Sequence, residues 1–176
     1  PEASSPVVQE LSSEAGETEN DRPSILLVDD NMQLLEMMEK ILATKYRVLT
    51  AENGLEALKQ LKAHAVDLIV SDVMMPGMDG FALCRKLKSQ LETSHIPVIL
   101  LTAKDSIQDK EEGYEVGADS YLTKPFSASL LRSRINNLLD SRKKLIAQFQ
   151  QTGTSHNPNS HLDEKRSIIT EALSKL

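Results

Sequence analysis

From residue 24 to about residue 150 the chain alternates short unbroken apolar runs with longer stretches in which apolar residues recur every three or four positions. Ile25-Leu26-Leu27-Val28 is such a run, with no polar residue between its members, as in a strand covered on both faces. It stops at Asp29-Asp30-Asn31, and Asn31 is a suitable cap for a helix carrying Leu34, Leu35, Met38, Ile41 and Leu42. Tyr46 to Thr50 predicts a second strand, and Asn53-Gly54 opens a helix with Leu55, Leu58 and Leu61 on one stripe. The run from Val66 to Val70 predicts a third strand ending at Asp72, before a loop punctuated by Pro76-Gly77 and Asp79-Gly80. Phe81, Leu83, Cys84 and Leu87 mark a helix from Gly80 to about Gln90, and Ile96 to Leu101 a fourth strand leading into Thr102-Ala103-Lys104. Pro97 is tolerable near a strand's start. A helix from Ser106 to Val116 is closed by Gly117 at its C′ position, and a short fifth strand over Ser120–Thr123 leads to Lys124-Pro125-Phe126. Ser127 then caps a last helix.

Five strands alternating with five helices through short connections predict an α/β fold, with a parallel sheet covered on both faces by right-handed crossovers. In the last helix Leu131, Ile135, Leu138, Leu145 and Phe149 recur at heptad-like spacing, interrupted by Arg142. A helix running to about Gln150 would span about 35 Å, beyond the edge of a domain this size, so its final turns need another partner. The expected organisation is a disordered acidic linker over residues 1–22, a domain over 23–140, a helix extension over 141–151, a hinge over 152–161 and a helical stub over 162–176 leading toward a following domain. The start at Pro1 without Met suggests a piece of a longer polypeptide.

Composition changes this picture little. Hydrophobic residues make up 40% and charged residues 26%, as in an ordinary globular chain, and no apolar run approaches the roughly 18 residues of a membrane span. The net charge of −6 sits largely in residues 1–22, where Glu2, Glu10, Glu14, Glu17, Glu19 and Asp21 face only Arg22. The nearly neutral remainder carries no footprint for direct nucleic-acid contact. The lone Cys84 excludes an internal disulfide and reads as a small core residue.

The chemistry lies at the strand ends. In an open parallel sheet the carboxyl ends of the strands share one edge, where ligands collect. Asp29 and Asp30, Asp72, Thr102 and Lys124 would therefore converge there. Three carboxylates in one pocket repel unless a cation joins them, and Mg²⁺ suits Asp30, Asp72 and a backbone carbonyl such as that of Met74, with Asp29 acting directly or through water. With its charge so balanced, Asp72 can attack a phosphoryl group as a nucleophile, and Thr102 and Lys124 are natural donors to the phosphoryl oxygens. Drawing Thr102 inward would then vacate space for Tyr121 to turn from solvent toward the core.

Leu27-Val28-Asp29-Asp30-Asn31, the run Asp72-Val73-Met74-Met75-Pro76-Gly77-Met78-Asp79-Gly80, Leu100-Leu101-Thr102-Ala103 and Lys124-Pro125-Phe126 together resemble the receiver domain of two-component response regulators. The resemblance covers about residues 24–140. It implies a flavodoxin-like sheet of order 2-1-3-4-5, Asp72 as phosphoacceptor, Asp29 and Asp30 as the metal pair, Thr102 and Lys124 as phosphate contacts, Tyr121 as an aromatic switch, and a cis Lys124-Pro125 bond. The flanks resemble hybrid sensor histidine kinases, in which a receiver follows the kinase core and precedes an output domain such as a DNA-binding one. Many DNA-binding regulators carry a second acid after Gly-Ala-Asp for dimer salt bridges; here Ser120 follows Asp119.

The expected partners are a histidine kinase domain, in cis or in trans, an output domain, and a second copy through the extended last helix. The expected location is cytoplasmic, with the parent chain able to be membrane-anchored. The expected activity of the domain is self-catalysed phosphoryl transfer, and whether the whole protein is an enzyme stays open, a sensor histidine kinase being one form of the parent chain. Two alternatives stand beside it: a receiver-like interaction module that is never phosphorylated, and a phosphatase of the haloacid dehalogenase type. The second would need an acid two residues after its nucleophile, where this chain has Met74.

Overall fold

The computed structural model describes residues 18–103 and 107–152. Of the linker expected over 1–22, residues 1–17 lie outside the described residues; so do the stub over 162–176 and all of the hinge expected over 152–161 except Thr152, which is the last residue of the final helix. Five strands, β1 (Ser24–Val28), β2 (Arg47–Ala51), β3 (Leu68–Asp72), β4 (Val98–Thr102) and β5 (Ser120–Thr123), alternate with α1 (Met32–Leu42), α2 (Gly54–Ala63), α3 (Gly80–Ser89), α4 (Ile107–Glu115) and α5 (Ala128–Thr152). All neighbouring strands are parallel and the order is β2-β1-β3-β4-β5, as the flavodoxin-like expectation has it. Before β1, Glu19–Asp21 form a single 3-10 turn, closed by Thr18 Oγ1 donating to Asp21.

Every residue of β1, β3 and β4 is buried, so their unbroken apolar runs do face two layers. On one side Leu26, Val28, Ile69, Val98 and Leu100 pack under α2 and α3 through Ala57, Phe81, Leu83, Cys84 and Leu87. On the other, Ile25, Leu27, Leu68, Val70, Ile99 and Leu101 pack under α1 and α5 through Leu35, Met38, Leu42, Leu131, Ile135 and Leu139. The alternation along each strand decides which helix pair a residue meets.

Several boundaries differ from the sequence expectation. Val66 is buried but precedes the strand. Asp67 instead forms a junction: its N–H donates to the Ser24 carbonyl at 2.8 Å and its carboxylate accepts from the Ser24 N–H at 2.8 Å. Pro97 stands outside β4, where its carbonyl accepts from Ile69 N–H at 2.9 Å. β2 is shifted by one residue, to Arg47–Ala51, with Tyr46 buried ahead of it. Leu55, expected on the inner stripe of α2, is exposed, because Gly54, Ala57, Leu58 and Leu61 share one side of the helix and Leu55 falls on its flank. The caps come out as read: Asn31 accepts from Gln33 and Leu34 N–H, and Ser127 Oγ accepts from Leu130 N–H. Gly117 has φ +87°, and the Ala118 N–H closes the end of α4 on the Gly113 carbonyl at 3.1 Å.

At 25 residues α5 is about 38 Å long. Asn136 accepts from the Tyr46 hydroxyl and, at 3.1 Å, from Lys45 Nζ. Arg142, which interrupts the apolar spacing, donates to the Asp67 carbonyl at 3.1 Å, just ahead of β3. Beyond it Leu145 and Ile146 are exposed. Asp119 and Ser120 are engaged inside the domain: Lys88 Nζ lies 3.0 Å from Asp119, whose carboxylate also accepts from Val98 N–H, and Arg134 donates to Ser120 Oγ at 2.8 Å.

Candidate phosphoryl-transfer site

The carboxyl ends of β1, β3, β4 and β5 meet at one edge of the sheet, and each contributes a polar group. Asp29 follows β1 and is fully buried, because its backbone continues the strand's direction and its N–H donates to the Ala51 carbonyl of β2 at 3.1 Å. Asp30, one residue on, points outward and is exposed. Asp72 is the last residue of β3, 6% exposed, opposite Leu101 in β4. Thr102 ends β4 and is buried. Its carbonyl accepts from Lys124 N–H at 2.6 Å, which fixes the two neighbours side by side. The Lys124-Pro125 bond is cis, as the resemblance implied.

One oxygen from each of Asp29, Asp30 and Asp72 lies within 4.8 Å of the others. Lys124 Nζ sits 3.2 Å from Asp29 Oδ2 and 3.2 Å from Asp72 Oδ1, so a single ammonium bridges the two buried carboxylates. Asp29 Oδ1 is held from the other side by the Asn31 N–H at 2.9 Å. Burial pushes the Asp72 carboxyl above its ordinary range and the charge of Asp29 pushes the same way; Lys124 and a hydrogen bond from the Met74 backbone work against them. Among the described residues one cation faces three carboxylates, a balance that a divalent cation would improve. The donor set is all oxygen, which fits a hard divalent ion such as Mg²⁺ better than a thiophilic metal.

All the residues singled out in the sequence therefore reach this edge or its flank. Met74 presents its backbone to Asp72 while its side chain is exposed. Tyr121 is buried against Phe81 on the α3 side of the sheet, turned inward. The sequence reading missed three supports. Asn31 was legible as a helix cap, but its N–H also orients Asp29. Ser71 Oγ donates to the Asp72 carbonyl at 3.0 Å. Gly80 approaches the same carbonyl so closely that a Cβ there would lie 2.3 Å from it. The Asp-Gly pair reads as a turn in sequence, and its packing against the carboxylate's own backbone is a tertiary fact.

Comparison with known proteins agrees with this geometry. A family model described as the response regulator receiver domain matches residues 25–136. The chain is 45% identical over 144 residues to Histidine kinase P4 of Formosa agariphila, covering 82% of this chain and 10% of that protein. It is 47% identical over 125 residues to Response regulator PleD of Caulobacter vibrioides, covering 69% of this chain and 27% of that one. The chain thus spans from a tenth to about a quarter of these relatives' length. Among solved structures, the signal receiver domain of a signal transduction histidine kinase from Syntrophus aciditrophicus superposes with a TM-score of 0.64 at 42% identity, over 68% of this chain and 91% of that one. The chemotaxis protein CheY4 of Vibrio cholerae gives 0.64 at 34% identity, over 66% of this chain and 98% of that one.

Proposed function

The chain belongs to the response regulator receiver domain family, a phosphoacceptor module of two-component signalling, and from that premise we propose that Asp72 is the residue phosphorylated. A carboxylate oxygen of Asp72 attacks the phosphorus of a phosphohistidine on a histidine kinase domain; the N–P bond breaks, and the imidazole leaves and takes up a proton. The observation that carries this reading is the bridging of Asp29 and Asp72 by Lys124, in a pocket that keeps Asp72 buried yet ends in the exposed Asp30.

Asp29, Asp30, Asp72 and the Met74 carbonyl are the groups that would hold Mg²⁺, which when bound neutralises charge on the transferring phosphoryl oxygens. Lys124 keeps Asp72 oriented before transfer and, once the acyl phosphate forms, donates to a phosphoryl oxygen. The Thr102 hydroxyl donates to another. Its inward movement is the step that couples the aspartyl phosphate to Tyr121 and thence to output.

The partners of the whole protein follow the same reading. The donor is a histidine kinase domain, in cis if the parent chain is a hybrid kinase, and the recipient of the signal is an output domain, DNA-binding in one form. The exposed Leu145 and Ile146, together with Phe149 on the projecting part of α5, form the contact for a second copy of the chain. No described helix is long and apolar enough to cross a membrane. The donor kinase draws on ATP, so in this reading the domain works in the cytoplasm, and a membrane anchor of the parent chain would belong to another part of the polypeptide.

Incubation with acetyl phosphate and Mg²⁺, followed by intact mass analysis, tests the assignment. One labile phosphoryl group is expected on the wild-type chain and none on Asp72→Asn. Modification of the Asp72→Asn chain to the same extent would overturn it.

A further inference from the structure

We propose that Gly113 is the positioning residue for Tyr121: the inward seat of the aromatic ring exists because α4 has no side chain at that point. Among the described residues of α4, Gly113 is buried while Glu111, Glu112, Tyr114 and Glu115 are exposed, so the helix meets the sheet through a bare backbone position. A Cβ built on Gly113 would lie 2.9 Å from Tyr121 Cε2 and 3.0 Å from Cδ2, closer than carbon atoms pack, and 3.6 Å from Phe81 Cε1. The ring therefore occupies the volume that any other residue at 113 would claim, with Phe81 of α3 as the neighbouring wall.

Which group must yield follows from the topology. β5 is an edge strand, with no further strand beyond it, and a tyrosine χ1 has other staggered wells through which the ring can swing toward that edge. Phe81 belongs to the close-packed core and cannot retreat at comparable cost. A methyl at 113 expels the ring outward, and the glycine is what lets the chain hold it in. The seat itself follows from the packing against Gly113; its meaning for signalling rests on the phosphoacceptor reading above, because an outward-locked Tyr121 cannot follow a movement of Thr102.

The test compares wild type, Gly113→Ala, Tyr121→Ala and the double variant of the full chain. Tyrosines are labelled for NMR, and the Tyr121 signal is identified by its absence from the Tyr121→Ala chain. In Gly113→Ala the Tyr121 signal is expected to gain strong broadening from a soluble paramagnetic probe, with Tyr46 and Tyr114 unchanged. Thermal unfolding gives a second readout: Gly113→Ala lowers Tm in the wild-type background but raises it in the Tyr121→Ala background, where only the better helix propensity of alanine remains. If Gly113→Ala does not fold, its recovery by Tyr121→Ala supports the seat, and failure in both backgrounds overturns it. A Tyr121 signal as protected in Gly113→Ala as in wild type, or equal Tm changes in both backgrounds, also overturns it. Acetyl phosphate labelling is scored separately on the same chains: an unlabelled wild type counts against Asp72 as phosphoacceptor and leaves the ring measurements untouched.

Discussion

Gly80 touches Asp72 through backbone alone: its N–H donates to the Val73 carbonyl at 2.9 Å, and a Cβ at position 80 would come within 2.3 Å of the Asp72 carbonyl oxygen. Because the obstacle is main chain, no rotamer change relieves it. Gly80→Ala is expected to cost about 2 kcal/mol or more and to shift Asp72 relative to Lys124. Denaturant unfolding checks the first effect, and the rate of Mg²⁺-dependent labelling by acetyl phosphate checks the second. Wild-type values in both would mean that the turn relaxes freely.

Lys124 is the only positive group seen at hydrogen-bonding distance from the two buried carboxylates among the described residues. Lys124→Met should lower stability by about 2 kcal/mol in metal-free buffer, a figure reduced for the partial exposure of the lysine. Mg²⁺ should then restore more stability to this variant than it adds to wild type. Thermal unfolding with and without Mg²⁺ measures the difference, and an equal shift in both chains would show that the ion does not share this pocket with the lysine.

The raised carboxyl of Asp72 makes a signed prediction. A group whose folded-state pKa lies above its unfolded value of about 3.9 favours folding while protonated, and that contribution is lost as pH rises through the folded value. At neutral pH and without metal the ionised Asp72 therefore strains the fold. Asp72→Asn should be more stable than wild type there, and the advantage should disappear as pH falls below the ordinary carboxylate range. A stability advantage independent of pH would trace it to something other than ionisation.

Cys84 is fully buried, with Sγ directed at the Val116 carbonyl, and burial pushes its thiol up to about 11. Thiolate is the reactive form, so the native protein should resist a disulfide reagent at pH 8 and react at once on unfolding. The contribution of the neutral thiol to stability should be lost as pH climbs from the ordinary thiol value toward 11. Rapid labelling of the folded chain would place Cys84 outside the core.

Arg142 holds α5 to the Asp67 carbonyl, and Leu145 and Ile146 beyond it face solvent. A chain ending after Asp140 should keep the receiver fold with a small loss of stability and should lose concentration-dependent self-association. Mass measurements over a range of concentrations read this directly. Equal association of the full and the shortened chain would move the contact to another face.

The amino-acid sequence by itself determined the order and type of all five strands, the caps Asn31, Ser127 and Gly117, and the set of side chains at the strand ends, because these depend on periodicity, local hydrogen bonding and chain direction. Even so, it misplaced Leu55, because an apolar residue one step off the inner stripe looks the same in one dimension as one on it. It could not say that Asp67 would become a junction for β1 and α5, that one lysine would bridge Asp29 and Asp72, or that Gly80 and Gly113 are bare because something else fills their space. Those are relations between residues far apart in the chain. They come into being only when the strands are laid side by side and the helices are pressed onto them, since close packing makes the distance between two atoms depend on the whole fold.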